Sequence, residues 1–598
     1  MPGRTQWSRR APPVRKPSAI WWIYGLTILA LASVLVSLLG NVLASASFEA
    51  DIGTFTARNY ARLFGDAKLP IVFGRTLVQG AGTVIVMLAF AVPITWFIAR
   101  TDFPWKGTLM ALLTAKLAIP GFITAMAYVW LFNPSSGMIN RMLGTTGLGD
   151  TAVFNVYGLD WICFLQGMVL VPAAVFMLLP AFQNMDATLE EAAWVSGVSR
   201  TRTVRRVVLP LMAPGMVAAM LFFFVVAIDV FDFVGLIGMP GRVEVLSLWI
   251  YDATHPVTGV PDYGFAGAAG MLMFVLSGGA IALYVRYLRE SQRYAVLRGK
   301  ARHSEPLRLG RWRWAAIAFV VMWLFLAFVI PVITLVWVSL VPFLQPPSAK
   351  AFAALNTKSY SFALTHLRTP LANTLLVMAG AVILAVTWSA SVSWIVTRSR
   401  TRLARWVDAI VFLSPAVPTM VAAVAFQMMG MSIHRWIPLY GSIWLIAIAM
   451  GTRMLAFGTR TVNAAALQIH AELDEAAYAS GVSRLVTFRR IFLPIVMPAL
   501  FYAALMVGML AARELTLPLM INTGYAPLVS TLIFDLQTNG DFAGAAAVGI
   551  YMIAILLALV LVARKMTGVG EVGVTAAAQR RTRFGRRGRP VPAVAVEA

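Results

Sequence analysis

The chain has 598 residues, 59% of them hydrophobic and only 12% charged, with a mean hydropathy of +0.77. A soluble globular protein is excluded, because such a chain needs more polar surface to cover itself. The formal net charge is +24 and there is one cysteine, Cys163, so an intrachain disulfide and a cysteine metal cluster are excluded as well.

The elements follow in order. A basic segment, 1–19, carries Arg4, Arg9, Arg10, Arg15 and Lys16 ahead of an apolar run at 20–44. That run is longer than the roughly 7–15 apolar residues of a secretory signal, so it reads as an uncleaved anchor. Further spans are predicted at 74–99, 108–132, 161–183, 213–238 and 266–288. A basic linker, 289–312, contains Arg293, Arg298, Lys300, Arg302 and Arg308. The second set is predicted at 313–341, 372–397, 406–431, 442–464, 498–521 and 542–563, and an arginine-rich tail occupies 564–598.

Each run approaches the roughly 20 residues a helix needs to cross a bilayer. The runs are continuous rather than alternating, which argues for helices and against a β-barrel. The predicted fold is therefore all-α and polytopic, with about twelve spans. The domains are a tail (1–19), a first six-helix domain (20–288), the linker (289–312), a second six-helix domain (313–563) and a tail (564–598). An even number of spans puts both termini on one side, and the arginines place that side in the cytoplasm. Nucleic-acid binding would rest on charge alone and is not expected.

The two sets are copies. Thr76 aligns with Thr374, Trp96 with Trp394, Arg100 with Arg398 and Pro120 with Pro418, all 298 residues apart. Glu191 aligns with Glu475, Gly197 with Gly481 and Pro210 with Pro494, all 284 apart. Six spans per copy give parallel repeats about an axis along the membrane normal.

One repeated stretch is charged rather than apolar: EEAAWVSGVSRTRTVRRVVLP at 190–210 and DEAAYASGVSRLVTFRRIFLP at 474–494. Each reads as two short helices between the fourth and fifth spans of its half. Thr188 and Glu191 fit a capping box, which the second copy does not keep. Gly197 and Gly481 permit the left-handed residue that ends the first helix, and Ser199 and Ser483 are placed to cap the second. Phe488, Ile491 and Phe492 form an apolar face (Val204, Val207 and Val208 in the first copy), with Arg205-Arg206 and Arg489-Arg490 on another. Pro210 and Pro494 are expected to stop the helix. Such an element suits either a lipid headgroup layer or a groove on a partner protein, and its duplication favours the partner.

Glu191-Ala192-Ala193…Gly197 with Leu209-Pro210, and Glu475-Ala476-Ala477…Gly481 with Leu493-Pro494, resemble the signature loop of inner-membrane permeases of binding-protein-dependent ABC importers. The resemblance covers roughly 70–563. It implies that these residues, with Arg205, Arg206, Arg489 and Arg490, form two coupling loops seated on two copies of a cytoplasmic ABC ATPase. It also implies cargo delivery by an extracytoplasmic solute-binding protein. Two fused halves, Arg513-Glu514-Leu515 and Gly540-Asp541-Phe542 resemble the ferric-iron type; thiamine, aminoethylphosphonate and polyamine permeases are close relatives. The chain is expected to be no enzyme and to hold no cofactor or metal of its own. No phosphate-binding G-x-x-x-x-G-K-[ST] and no nucleophile–base constellation is present.

Charges inside spans are costly and mark function. Asp229 and Asp232 in the fifth span and Arg513 and Glu514 in the eleventh are candidates for the translocation path, as is Lys116 in the third. The repeat places Asp229 opposite Arg513, and we expect the two to face each other as a polar constriction; mutual satisfaction without a gating role is the alternative. An ion-coupled carrier with parallel repeats, using Asp229, Asp232 and Glu514, is the rival class.

Overall fold

The computed structural model describes residues 21–46, 56–145, 153–183, 195–203, 209–291, 307–399, 401–470, 472–522 and 526–567, together with 193, 206 and 524. The N-terminal basic tail, most of the linker and the C-terminal tail lie outside the described residues. Among the described residues, eight helices are long and apolar enough to cross a membrane, and eleven spans result if three sharply bent pairs each count as one. Ile443–Ala466, which carries Arg453 and Arg460, is the remaining expected span and is not among those eleven.

In the first half, α1 is Trp21–Ala46, α2 Leu69–Arg100, α3 Lys106–Ala118, α4 Gly121–Phe132, α5 Leu159–Gln183, α6 Leu209–Asp229 and α7 Tyr263–Ser291. In the second, α8 runs Gly310–Leu340, α9 Lys358–Arg398, α10 Arg402–Leu413, α11 Thr419–Ile433, α12 Ile443–Ala466, α13 Glu472–Ala479, α14 Leu493–Ala512 and α15 Phe542–Thr567.

The third and ninth spans are not the straight helices expected at 108–132 and 406–431. They break at Pro120 and Pro418, with bends of 86° and 108°. The cause is local. A proline disfavours α geometry in the residue before it and has no N–H to donate. Ile119 sits at φ −80, ψ 121 and Val417 at φ −82, ψ 116, the same extended step in both halves. The fifth span, expected at 213–238, is likewise interrupted after Asp229, and its two parts meet at 49°. The eleventh, expected at 498–521, is interrupted between Ala512 and Thr516.

The leading helix of each half packs on the other half. Ile23, Ala30 and Val34 of α1 join clusters with Trp388, Val392, Trp394, Val407 and Val411. Ala316, Val320, Trp323 and Ala327 of α8 join Val84, Met87, Leu109 and Phe223. Trp323 is fully buried there and donates its Nε1–H to the Met168 carbonyl at 3.4 Å. The largest apolar cluster runs across both halves, from Phe122 and Met126 to Met420, Leu517 and Val548. Exposed Trp21, Trp22, Trp105, Trp312, Trp314 and Trp406 stand at the starts of the first, third, seventh and ninth spans. Tryptophans in such places mark a membrane–water interface.

Candidate functional site

The second charged segment is built on α9. Arg398, its last residue, pairs with Asp474 at 2.7 Å, donates to the Ile469 carbonyl at 3.2 Å and stacks 5.9 Å over the Phe492 ring. Trp394, one turn earlier, packs edge-on against Phe488 and Phe492 at 5.5 and 4.9 Å. The apolar face expected of this segment is therefore buried on α9: Phe492 is fully covered and Phe488 partly. Burial pushes the Asp474 carboxyl up, and the Arg398 guanidinium opposes that shift. On the outer side Glu475, Ala476, Gly481, Arg489, Arg490 and Pro494 are exposed, while Ala477 is buried and Leu493 half-buried. One side is fastened to the bundle and the other is left open.

Gly481 at φ +75 ends α13, and the Val482 N–H closes back onto the Ala477 carbonyl at 3.0 Å. The first copy repeats this: Gly197 lies at φ +78, and Val198 donates to Ala193 at 3.0 Å. These are the left-handed turn and six-to-one bond of a Schellman ending. Two local expectations are corrected. Ser483 occupies the cap position of the next helix, but its side chain makes no capping bond. Its carbonyl instead accepts from Thr487 Oγ1 at 3.2 Å, as the Ser199 carbonyl does from Thr203 Oγ1 at 3.2 Å. Nor do the prolines stop the helix. Pro494 sits in the first turn of α14, and a π-helical stretch, Phe488–Phe492, joins Arg484–Thr487 to it, so the helix continues from Arg484 to Ala512. Pro210 has the same place in α6. A proline inside a continuous helix removes one N–H donor, and the π-helical stretch directly before Pro494 is where the backbone accommodates that loss. Thr188, Glu191, Ala192, Val204, Arg205, Val207 and Val208 lie outside the described residues; Arg206 is exposed, and Leu209 opens α6.

The interruptions of the third, fifth, ninth and eleventh spans meet around a cavity of about 130 Å³. Pro120, Gly121, Gln166, Asp229, Asp232, Thr419, Arg453, Arg513 and Glu514 are among the residues that line it. Four of the five path candidates are thus brought together. Lys116 is buried behind this wall, where its Nζ donates to Thr124 Oγ1 at 2.9 Å across the Pro120 break.

The expected facing pair, Asp229 with Arg513, is replaced by another. Asp229 accepts from the Thr419 N–H and from Thr419 Oγ1 at 2.8 Å, and pairs with Arg453. Arg513 donates instead to the Leu117 carbonyl. The interruption of α6 is itself braced: the Ala227 carbonyl accepts from Gln166 Nε2 at 2.8 Å and from Gln79 Nε2 at 3.1 Å. Asp232 lies over Gly121, where an added Cβ would come within 3.3 Å of its Oδ2. The two acids of the fifth span therefore sit at the starts of α4 and α11, one from each half, where backbone N–H groups favour negative charge.

The profile of the family described as binding-protein-dependent transport system inner membrane component matches residues 91–293 and again 387–566. Together the two matches cover more than half of the chain, and each contains one copy of the charged segment. The chain belongs to this family. It is a multi-pass membrane permease subunit of an ABC importer, a non-enzymatic component whose ATPase is a separate subunit. Among similar proteins, the ferric transport system permease FbpB of Actinobacillus pleuropneumoniae is 23% identical over 85% of this permease and 73% of its own length. A probable molybdenum ABC transporter permease of Haloferax volcanii is 29% identical over 30% of this chain and 66% of its own. The spermidine/putrescine permease PotB of Salmonella typhimurium is 25% identical over 39% and 80%. A chain of a bacterial alginate ABC importer aligns structurally with a TM-score of 0.37 at 20% identity, over 46% of this permease and 97% of itself.

Arg453, Gln79 and Gln166 are the site residues that the sequence did not mark. Each is polar within an apolar span, and that is the signal that could have found them. Arg453 corresponds to Val169 in the first half, 284 residues earlier, so the repeat hides it.

Proposed function

We propose that this permease carries ferric iron, delivered by an extracytoplasmic binding protein, and that two ATPase subunits drive it through the segments around Glu191 and Glu475. The observation that carries the cargo reading is coverage. The ferric permease aligns with 85% of this chain, through both fused halves, whereas the molybdenum and polyamine permeases align with 30% and 39%. The coupling role is supported by the open outer side of the second segment, with Glu475, Ala476, Arg489 and Arg490 presented and the inner side fixed by Arg398 and Trp394. A rigid, exposed, bent element of this kind fits a groove on a partner.

Both termini and both coupling segments belong on the cytoplasmic side. The arginine blocks at 1–19, 289–312 and 564–598 support this, as do the interface tryptophans beside them. The cavity at the broken spans is the closed midpoint of the path. In this reading the unit boundaries are 20–288 and 313–563, with α1 and α8 reaching across. The ion-coupled carrier gives way to this reading because it has no use for two matched docking elements.

The test is uptake by proteoliposomes holding the full chain, its ATPase and its binding protein, with iron, putrescine, thiamine and molybdate offered in competition. ATP-dependent accumulation of iron supports the reading. Accumulation of another solute with iron excluded overturns the cargo assignment.

A further inference from the structure

The midline charges are directed across the boundary between the halves. Asp229 ends α6 in the first half and accepts from the main chain and hydroxyl of Thr419, the first residue of α11 in the second. Arg513 follows α14 in the second half and donates to Leu117, in the last turn of α3 in the first. The repeat makes these two equivalent positions, 284 residues apart. The acid reaches a helix start and the base reaches a helix end, and each meets backbone groups of the sign it complements. The Pro418 and Pro120 breaks expose those groups. Arg453 closes the acidic side: one guanidinium nitrogen donates to Asp229 and the other to the Val417 carbonyl at 3.1 Å. Val169 stands in the corresponding place of the first half, and Arg513 shares the cavity wall with the carboxylates of Asp232 and Glu514 instead.

We propose that Asp229, Arg453 and Arg513 form a reciprocal latch that holds the path closed at mid-depth, with Arg453 as the positioning residue that keeps Asp229 on the broken ninth span. This rests on the permease reading above. The latch joins the halves at the turns that border the cavity, so the halves cannot part there while both contacts stand. The acid–base pair is not interchangeable. An arginine at 229 would point a cation at the N–H groups that open α11, so the pair has a direction that an ordinary ion pair lacks. A residue that only maintained packing would change the yield of folded complex and leave the coupling of ATP hydrolysis to the binding protein untouched.

The experiment uses the full chain assembled with its ATPase and binding protein. Arg453→Gln and Asp229→Asn are each expected to raise ATP hydrolysis several-fold in the absence of binding protein and to weaken its further stimulation. The exchange Asp229→Arg with Arg453→Asp is expected not to restore the wild-type ratio; restoration would reduce the contact to a simple ion pair and overturn the proposal. A second arm does not depend on how those variants fold. In a Cys163→Ser background, Asp229→Cys with Thr419→Cys is oxidised and then reduced. Loss of uptake on oxidation and recovery on reduction support the latch, and undiminished uptake in the cross-linked form overturns it. Failure of the wild-type chain to bind any ATPase subunit would instead count against the permease reading, so the two failures are distinguishable.

Discussion

Arg398 shows how much one side chain can fix. It terminates α9, neutralises Asp474 on α13, satisfies the Ile469 carbonyl and covers Phe492, tying the second charged segment to the bundle at several points. The side chains of the pair are only 13% and 7% exposed, so removing one partner strands a desolvated charge at a cost of about 3 kcal/mol or more. Arg398→Gln is expected to loosen the segment and lower binding-protein-stimulated ATP hydrolysis, with Asp474→Asn added to it recovering part of the loss. Burial raises the Asp474 carboxyl from its ordinary value, so as pH falls it protonates ahead of an exposed aspartate. The ion pair with Arg398 is lost with that protonation. Stimulated hydrolysis should decline in mild acid, and the decline should be absent in Asp474→Asn. Gly481 makes a separate case. A Cβ there meets no atom within 4 Å, so Gly481→Ala is disfavoured by its φ of +75 alone, at about 1–2 kcal/mol, and Gly481→Asn should retain more coupling than Ala. At this scale the sequence disclosed Gly197 and Gly481 through repetition, and Asp229 and Arg513 as charges within apolar spans. It concealed Arg453, whose counterpart is a valine, and gave no sign that Asp229 would reach Thr419 rather than Arg513.

Among the elements, the aligned prolines were legible but their effect was not. Pro120 and Pro418 lie inside runs apolar enough to span, so hydropathy reads straight through them. The extended residue before each is a steric consequence that only the three-dimensional path reveals. Pro418→Ala tests the point. With the N–H groups after the break drawn into a continuous helix, Thr419 is no longer free to meet Asp229. Uptake should fall sharply while the complex still assembles, and unchanged uptake would show that the break is dispensable. At Pro210 and Pro494 the prediction of a helix stop failed for the complementary reason. The π-helical stretch before Pro494 absorbs the missing donor and carries the chain straight into α14.

For the molecule as a whole, composition and duplication were sufficient for the class: a helical membrane protein in two copies, resembling an importer permease, as the family match over 91–293 and 387–566 shows. The exchange of leading helices was not legible, because an apolar run carries no mark of which half it covers. Trp323 anchors one of these crossings, and Trp323→Ala should cost about 3 kcal/mol or more, read as a lower unfolding temperature of the purified chain. The crossings, the shared apolar cluster and the contacts of Asp229 and Arg513 tie the two halves together. The most direct test is the full chain carrying Glu191→Arg and Glu475→Arg together, reconstituted with its ATPase and binding protein. The account predicts a chain that still inserts and binds the soluble receptor, yet releases the ATPase and loses ATP-driven uptake. Uptake at the wild-type rate with both charges reversed would contradict it.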